Sequence, residues 1–245
     1  MVPYLAILLA GAIVGLVNGV VGGGSILSYP VLLAFGSPPV TAAITNSLGV
    51  SSANIFALWA NLRQAKVDLS QYRLSAYLSA IGASVGCFLL LTAPSNFFEK
   101  IVPFLLLFAS LTVFVPTRIR TDASNFSIRL EPYLIATSGI YCGYFGPGQG
   151  VMVLATLRRI AQRSAHEINS AKNFIIGLTS LFTSSIFLLS GRAHYVEALA
   201  LFVGSAIGGF IGGKWASNFS ERGVKAALLT VGLGASVWLF VRAYL

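Results

Sequence analysis

Charged residues are scarce in this chain. They make up 9% of its 245 residues, against about 25% in a typical soluble domain, while hydrophobic residues make up 56%. The chain has seven acidic residues, all at or near the ends of apolar runs: Asp68, Glu99, Asp122, Glu131, Glu167, Glu197 and Glu221. This composition excludes an ordinary soluble domain. It therefore predicts a protein embedded in a lipid bilayer.

Features of several other protein classes are also missing. The two cysteines, Cys87 and Cys142, lie in apolar runs without the spacing of metal ligands, so we interpret them as small core residues. The sequence has no GxxxxGK[ST] motif, which argues against ATP-driven transport by this chain alone. The net charge is +9, yet no dense basic run interleaved with aromatic residues is present, which argues against nucleic-acid binding.

Six apolar runs have the length of a membrane-spanning helix, about 20 residues. They cover approximately residues 40–62, 72–93, 100–117, 167–190, 195–215 and 224–244. Two further regions, 3–36 and 132–163, are interrupted by the sequences GGGS (22–25) and GPGQG (146–150). Glycine and proline break helices, and a break within lipid needs cover from protein or from a water-filled cavity. We predict two broken helical regions; a kink or a surface turn is the alternative.

The two halves of the chain repeat each other. Four glycines, at 15, 19, 22 and 24, recur 124 positions later, and AIGASVG (80–86) recurs as AIGGFIG (206–212) 126 positions later. Paired small residues four apart form helix-packing surfaces in membranes. We predict an all-α polytopic membrane protein with a first repeat at 1–117, a cytoplasmic connecting loop at 118–131 and a second repeat at 132–245.

The basic residues predict the topology. If each broken region is a hairpin that enters and leaves by one face, twelve Lys and Arg residues fall on one side of the membrane and three on the other, with Lys172 within it. If each region crosses once, the division is eight to seven. The positive-inside rule favours hairpins. Each repeat then has a hairpin and three spanning helices, so the second is inverted relative to the first and both termini are periplasmic. Half-depth hairpins and pairs of full crossings give the same count.

Inverted repeats with discontinuous helices are typical of secondary transporters, whose substrate site lies where the breaks meet. Helix N-termini after such breaks suit a small anion. The predicted site comprises Gly22, Gly23, Gly24 and Ser25 at the first break, Gly148, Gln149 and Gly150 at the second, Thr45, Asn46 and Ser47 on the next helix of the first half, and Asn169, Lys172 and Asn173 on the next helix of the second. The alternative for the Asn and Ser residues is hydrogen bonding between helices.

Lys172 is the ionisable residue farthest from a predicted loop, which makes it a candidate for function. We predict that its positive charge contacts a bound anion. In the alternative, its side chain leans toward the cytoplasmic end of its helix and reaches the membrane surface.

The glycine-rich breaks, TNS (45–47), NSAKN (169–173) and the paired AIGxxxG helices resemble the sulfite exporter TauE/SafE family, also called the toluene-sulfonate uptake permease family. The likeness covers nearly the whole chain, although GPGQG departs from a plainer glycine cluster. The resemblance implies a bacterial inner-membrane carrier, without a cofactor, for a small anion such as sulfite, sulfoacetate or a sulfonate. A passive anion channel of the same build is the alternative, and a membrane-embedded enzyme is disfavoured because no carboxylate lies at depth.

Overall fold

The computed structural model describes residues 2–64, 67–113, 125–160, 164–215 and 218–245. These residues form ten α-helices and a short 3-10 helix at Ser70–Tyr72. The helices, in chain order, are α1 (Val2–Val20), α2 (Ser25–Ala34), α3 (Pro39–Gln64), α4 (Arg73–Thr92), α5 (Ser95–Thr112), α6 (Asn125–Tyr144), α7 (Gln149–Ile160), α8 (Ala165–Ser190), α9 (Tyr195–Lys214) and α10 (Glu221–Tyr244).

Local sequence sets the ends of the long helices. Before α8, the Ser164 hydroxyl accepts a hydrogen bond from the Glu167 backbone N–H at 3.1 Å, an N-cap that satisfies one of the helix's unpaired donors. The same helix ends at Gly191, whose φ of +69° is the left-handed conformation of a glycine C-cap.

The helical membrane architecture predicted from sequence is confirmed. Among the described residues, five helices are long and apolar enough to cross a membrane: α4, α5, α8, α9 and α10. Helix α3 is equally long, at 26 residues, but it carries buried polar residues such as Asn46, Asn54 and Asn61. Large apolar side chains such as Phe88 and Leu189 are exposed, as expected of a surface that faces lipid.

Each glycine-rich break separates a long helix from a short one. Helices α1 and α6 have 19 and 20 residues, whereas α2 and α7 have 10 and 12. At 1.5 Å per residue, α2 and α7 are about 15 and 18 Å long, roughly half of a ~30 Å hydrocarbon core. Each broken region therefore combines a longer arm with a short one, and neither arm is among the five described helices that are long and apolar enough to cross a membrane.

Some of the predicted loop is helical. Helix α6 begins at Asn125, so residues 125–131 of the predicted connecting loop belong to a helix, while residues 118–124 lie outside the described residues. Four basic residues of the charge count, Lys66, Arg118, Arg120 and Arg163, also lie outside them.

The first helix of each repeat packs in parallel against a helix of the other repeat. Helix α1 packs along α9, where a Cβ on Gly15 would collide with the Ser205 carbonyl oxygen. Helix α6 packs along α4, where a Cβ on Gly139 would collide with the Ser79 carbonyl oxygen. Gly139 is 124 positions after Gly15, and Ser205 is 126 after Ser79. The two helix pairs therefore pack through equivalent residues, at contacts too close for any side chain.

The relative directions of the helices distinguish a hairpin from a single crossing in each broken region. Helices α3 and α9 run parallel, because Gly49 lies beside Ser205 and Ala57 lies beside Gly213. Helices α4 and α8 are parallel and α5 and α10 antiparallel by the same kind of contact. A single crossing by each broken region would reverse all three relations. The observed directions are those of the hairpin arrangement.

Candidate functional site

The two glycine-rich breaks meet inside the protein. A Cβ on Gly22 would lie 2.7 Å from the carbonyl carbon of Gly150, and one on Gly150 would lie 2.8 Å from the Gly22 Cα. The backbone φ is +90° at Gly22 and +95° at Gly146, its counterpart 124 positions later. Residues with a side chain rarely adopt this backbone conformation, and a side chain on Gly22 would not fit against Gly150. The breaks are thus buried and cover each other, which rules out surface turns.

A polar cavity of about 40 Å³ lies beside this junction. Its lining combines both breaks with α3, α6 and α8. The residues are Asn18, Gly23, Ser25, Asn46, Ser47, Val50, Ser51, Asn54, Cys142, Gly146, Gly148, Gln149, Gly150, Ile176, Ser180 and Thr183. We call this space the central cavity. None of these lining residues is ionisable apart from the Cys142 thiol, so side-chain charge is not what would attract a ligand.

Two helix N-termini supply the field of the central cavity. Helix α2 begins at Ser25 and α7 begins at Gln149, and both residues line the cavity. The positive ends of two helix dipoles therefore converge on one small space, together with backbone N–H groups of the first helical turns. This arrangement favours an anion.

Unsatisfied acceptors also line the central cavity. Gln149 is buried and donates from Nε2 to the Ser79 hydroxyl at 3.2 Å, while its Oε1 has no partner among the described residues. The Oδ1 of buried Asn54 has none there either. Buried polar groups are normally hydrogen-bonded, so these two amides point to a hydrated or ligand-binding space.

Seven of the predicted site residues line the central cavity: Gly23, Ser25, Asn46, Ser47, Gly148, Gln149 and Gly150. Gly22 forms the junction, and Gly24 packs against α1 with its N–H bonded to the Asn18 side chain at 2.8 Å. Thr45 is buried elsewhere, where its hydroxyl accepts a hydrogen bond from the His194 N–H at 2.9 Å. Asn173 is fully buried, does not line the central cavity, and has no partner for either side-chain atom among the described residues.

Lys172 and Asn169 bind the C-terminal end of α1. The fully buried Lys172 ammonium donates to the Asn18 carbonyl oxygen at 2.7 Å, and the Asn169 Nδ2 donates to the Gly19 carbonyl oxygen at 2.9 Å. A helix leaves its last carbonyls without intrahelical partners and ends in a partial negative charge. Both side chains therefore stabilise the broken end of α1.

This contact corrects the alternative expectation about Lys172. The side chain does not reach the membrane surface, because it is fully buried and turned toward α1. Its ammonium instead bonds a carbonyl at the negative end of a helix. Lys172 does not line the central cavity, from which the Asn18 residue separates it.

Sequence reasoning missed nine lining residues, and two simple signals would have found several of them. The repeat offset relates Asn18 to Cys142, and helical spacing from Ser47 reaches Ser51 and Asn54 on α3. The 126-residue offset then converts Asn54 into Ser180 on α8. The lining is thus built largely from repeat-related positions.

A bundle of membrane-spanning helices in which two broken helices meet at a polar cavity is the architecture of a membrane transporter. Residues 7–239 match the sequence model of the family described as "Sulfite exporter TauE/SafE", and the chain belongs to this family. The resemblance seen in the motifs is thereby confirmed, and membership of a transporter family agrees with the expectation that the protein is not an enzyme.

Relatives from several bacteria are similar along most of their length. A "Probable membrane transporter protein" of Haemophilus influenzae is 29% identical over 224 residues, which cover 87% of this chain and 85% of that protein. "Probable membrane transporter protein ORF9" of Sinorhizobium sp is 25% identical over 94% of this chain and 89% of its own. "Probable membrane transporter protein YfcA" of Escherichia coli K12 is 24% identical, covering 89% and 82%. No solved structure matches the chain significantly.

Proposed function

We propose that the protein is a secondary transporter that moves a small anion across the bacterial inner membrane through the central cavity. The observation that carries this proposal is the convergence of two helix N-termini, at Ser25 and Gln149, on one buried polar space. Such a space offers N–H donors and positive dipole ends to an anion without a fixed charge that would hold it too tightly to leave.

A compact sulfur-containing or organic anion is the proposed substrate. The family description names sulfite, and the resemblance in the motifs extends to sulfoacetate and sulfonates. The central cavity, at about 40 Å³, favours an anionic group of the size of sulfite. The neutral Asn, Ser and Gln side chains around it can both donate and accept hydrogen bonds, as sulfur oxyanions and their bound protons require.

The proposed orientation has both termini in the periplasm and the two repeats inverted in the membrane. The helix directions support it, because α3 with α9 and α4 with α8 run as hairpin entry requires. The excess of Lys and Arg at one end of the bundle supports a cytoplasmic assignment for that end. The lipid bilayer and the small anion are then the two partners, with no role for nucleic acid.

A counterflow assay tests the proposal and separates a carrier from a channel. Liposomes containing the purified protein would be loaded with unlabelled sulfite, sulfoacetate or a sulfonate and diluted into the labelled anion. A carrier accumulates label transiently above its equilibrium level, whereas a channel only equilibrates it. Gln149→Leu should reduce exchange at least tenfold, because it removes polar groups at the N-terminus of α7. Ser185→Ala, on the exposed face of α8, is the matched control. No uptake of any of these anions by the wild-type protein would overturn the proposal.

A further inference from the structure

A second cavity, of about 180 Å³, lies at the end of the bundle predicted to be cytoplasmic. We call it the basic cavity. The polar and charged residues that line it are Asn61, Arg158, His166, Asn169, Lys214 and Glu221. They come from α3, α7, α8, α9 and α10, so the cavity joins both repeats.

Cations outnumber carboxylates in the basic cavity. Arg158 and Lys214 line it together with the carboxylate of Glu221. Arg158 holds that carboxylate through two bonds, Nη2 to Oε1 at 2.6 Å and Nη1 to Oε2 at 3.1 Å, which fixes the guanidinium at the cavity wall. The wall thus carries charged side chains, whereas none of the side chains that line the central cavity is charged.

Three buried polar atoms of the basic cavity have no partner among the described residues. They are Asn61 Nδ2, His166 Nε2 and Asn169 Oδ1. Asn61 is 1% exposed, so its amide cannot find bulk water. Asn61 Nδ2 is a donor that suits an anionic oxygen, Asn169 Oδ1 is an acceptor that needs a proton donor, and His166 Nε2 can be either. Unpartnered atoms of both kinds on one cavity, beside two cations, point to a ligand that has both oxygen acceptors and a proton, such as a protonated oxyanion.

The two cavities lie on either side of the contacts made by Lys172. Asn18 lines the central cavity and Asn169 lines the basic cavity. Between them, Lys172 bonds the Asn18 carbonyl and Asn169 bonds the neighbouring Gly19 carbonyl. These contacts at the C-terminal end of α1 therefore connect a residue that lines one cavity with a residue that lines the other.

We propose that the basic cavity is a second binding subsite for the transported oxyanion, separated from the central cavity by the Lys172–Asn18 contact. The proposal rests on the proposed function, because the anion is the one that the central cavity takes. Asn61 Nδ2 donates to the anion, and Arg158 and Lys214 supply the positive field. His166 Nε2 donates when it carries the ring proton.

Helix α3 offers a matched pair of variants. Asn54 lines the central cavity, and Asn61, seven residues later on the same helix face, lines the basic cavity. Each is buried and has one unpartnered amide atom. Asn→Leu removes the polar atoms while it keeps the branching and the number of side-chain heavy atoms, so Asn54→Leu and Asn61→Leu test one subsite each. His166→Leu is the second variant for the basic cavity, in case Asn61→Leu does not fold.

Calorimetric titration of the purified protein with sulfite is the test. We expect two sulfite sites in the wild-type protein. Asn61→Leu and His166→Leu should each weaken binding at the basic cavity at least tenfold, and Asn54→Leu should weaken binding at the central cavity. Sulfite binding at a single site that Asn54→Leu removes and both basic-cavity variants retain would overturn the second subsite alone. No sulfite binding by the wild-type protein would instead overturn the proposed substrate, and the second subsite with it.

Discussion

The junction of the two breaks gives a prediction that separates backbone strain from steric clash. Gly22 and Gly36 have the same backbone φ, +90° and +89°, so an alanine at either position pays the same strain, about 1–2 kcal/mol. Their surroundings differ. A Cβ on Gly36 would meet nothing within 4 Å, whereas one on Gly22 would lie 2.7 Å from Gly150. Gly36→Ala therefore measures strain alone.

Gly150→Ala provides the opposite control. Its Cβ would lie 2.8 Å from the Gly22 Cα, but Gly150 has no positive φ, so the substitution introduces the clash without the strain. Restoring ordinary contact at 3.4 Å requires the two breaks to separate by about 0.7 Å in Gly22→Ala and 0.6 Å in Gly150→Ala. A misplacement of about 1 Å can cost a catalysed reaction about 10²-fold, so we expect a somewhat smaller displacement in a binding site to cost on the order of tenfold.

We expect Gly22→Ala and Gly150→Ala to reduce anion counterflow at least tenfold, and Gly36→Ala to transport nearly as the wild type does. Rates in liposomes would be normalised to the amount of reconstituted protein, and thermal unfolding in detergent would report the strain. If Gly150→Ala transported normally while Gly22→Ala and Gly36→Ala were equally impaired, the strain would be responsible, and the close approach of the breaks would not matter to transport.

Two further predictions concern Lys172 and the topology. Lys172→Met should lower the free energy of unfolding by about 1–3 kcal/mol, because the buried Asn18 carbonyl loses its donor. Lys172→Arg should recover part of this stability. Chemical unfolding in detergent measures both variants, and a Met variant of full stability would contradict the capping role. In a background without Cys87 and Cys142, an impermeant maleimide applied to intact cells should label Arg192→Cys but not Asp68→Cys, although both positions are exposed. Labelling of Asp68→Cys alone would invert the proposed orientation.

The helices were predictable because lipid imposes length and composition. The six apolar runs each correspond to a helix, α3–α5 and α8–α10, and the two breaks fall at GGGS and GPGQG as expected. The unequal arms of the broken regions were not predictable from the basic residues. Their count indicates on which side of the membrane each segment ends, but not how long each helix is. The start of α6 was missed because residues 125–131 mix apolar with polar and charged residues, and hydropathy does not distinguish a helical turn of this composition from a loop.

The sequence identified part of the lining of the central cavity and missed the rest. Residues next to a break were found because glycine marks the break, so Ser25 and Gln149 were identified from sequence alone. Asn54 and Ser180 were missed because they lie far along their helices, and only packing brings them to the central cavity. Thr45 and Asn46 are neighbours in sequence, but they point in different directions from α3, and one of them bonds the start of α9 instead.

The corrected place of Lys172 explains how a broken helix can present a net positive field. At a break, the negative end of the first helix lies close to the positive end of the second, and the two partial charges tend to cancel. Lys172 and Asn169 bond the last carbonyls of α1, which offsets its negative end and leaves the N-terminus of α2 to act on the central cavity. At the equivalent positions of the first repeat, 126 residues earlier, stand Asn46 and Ala43, neither of which carries a charge. The repeats are thus alike in backbone and unlike in charge at these two positions.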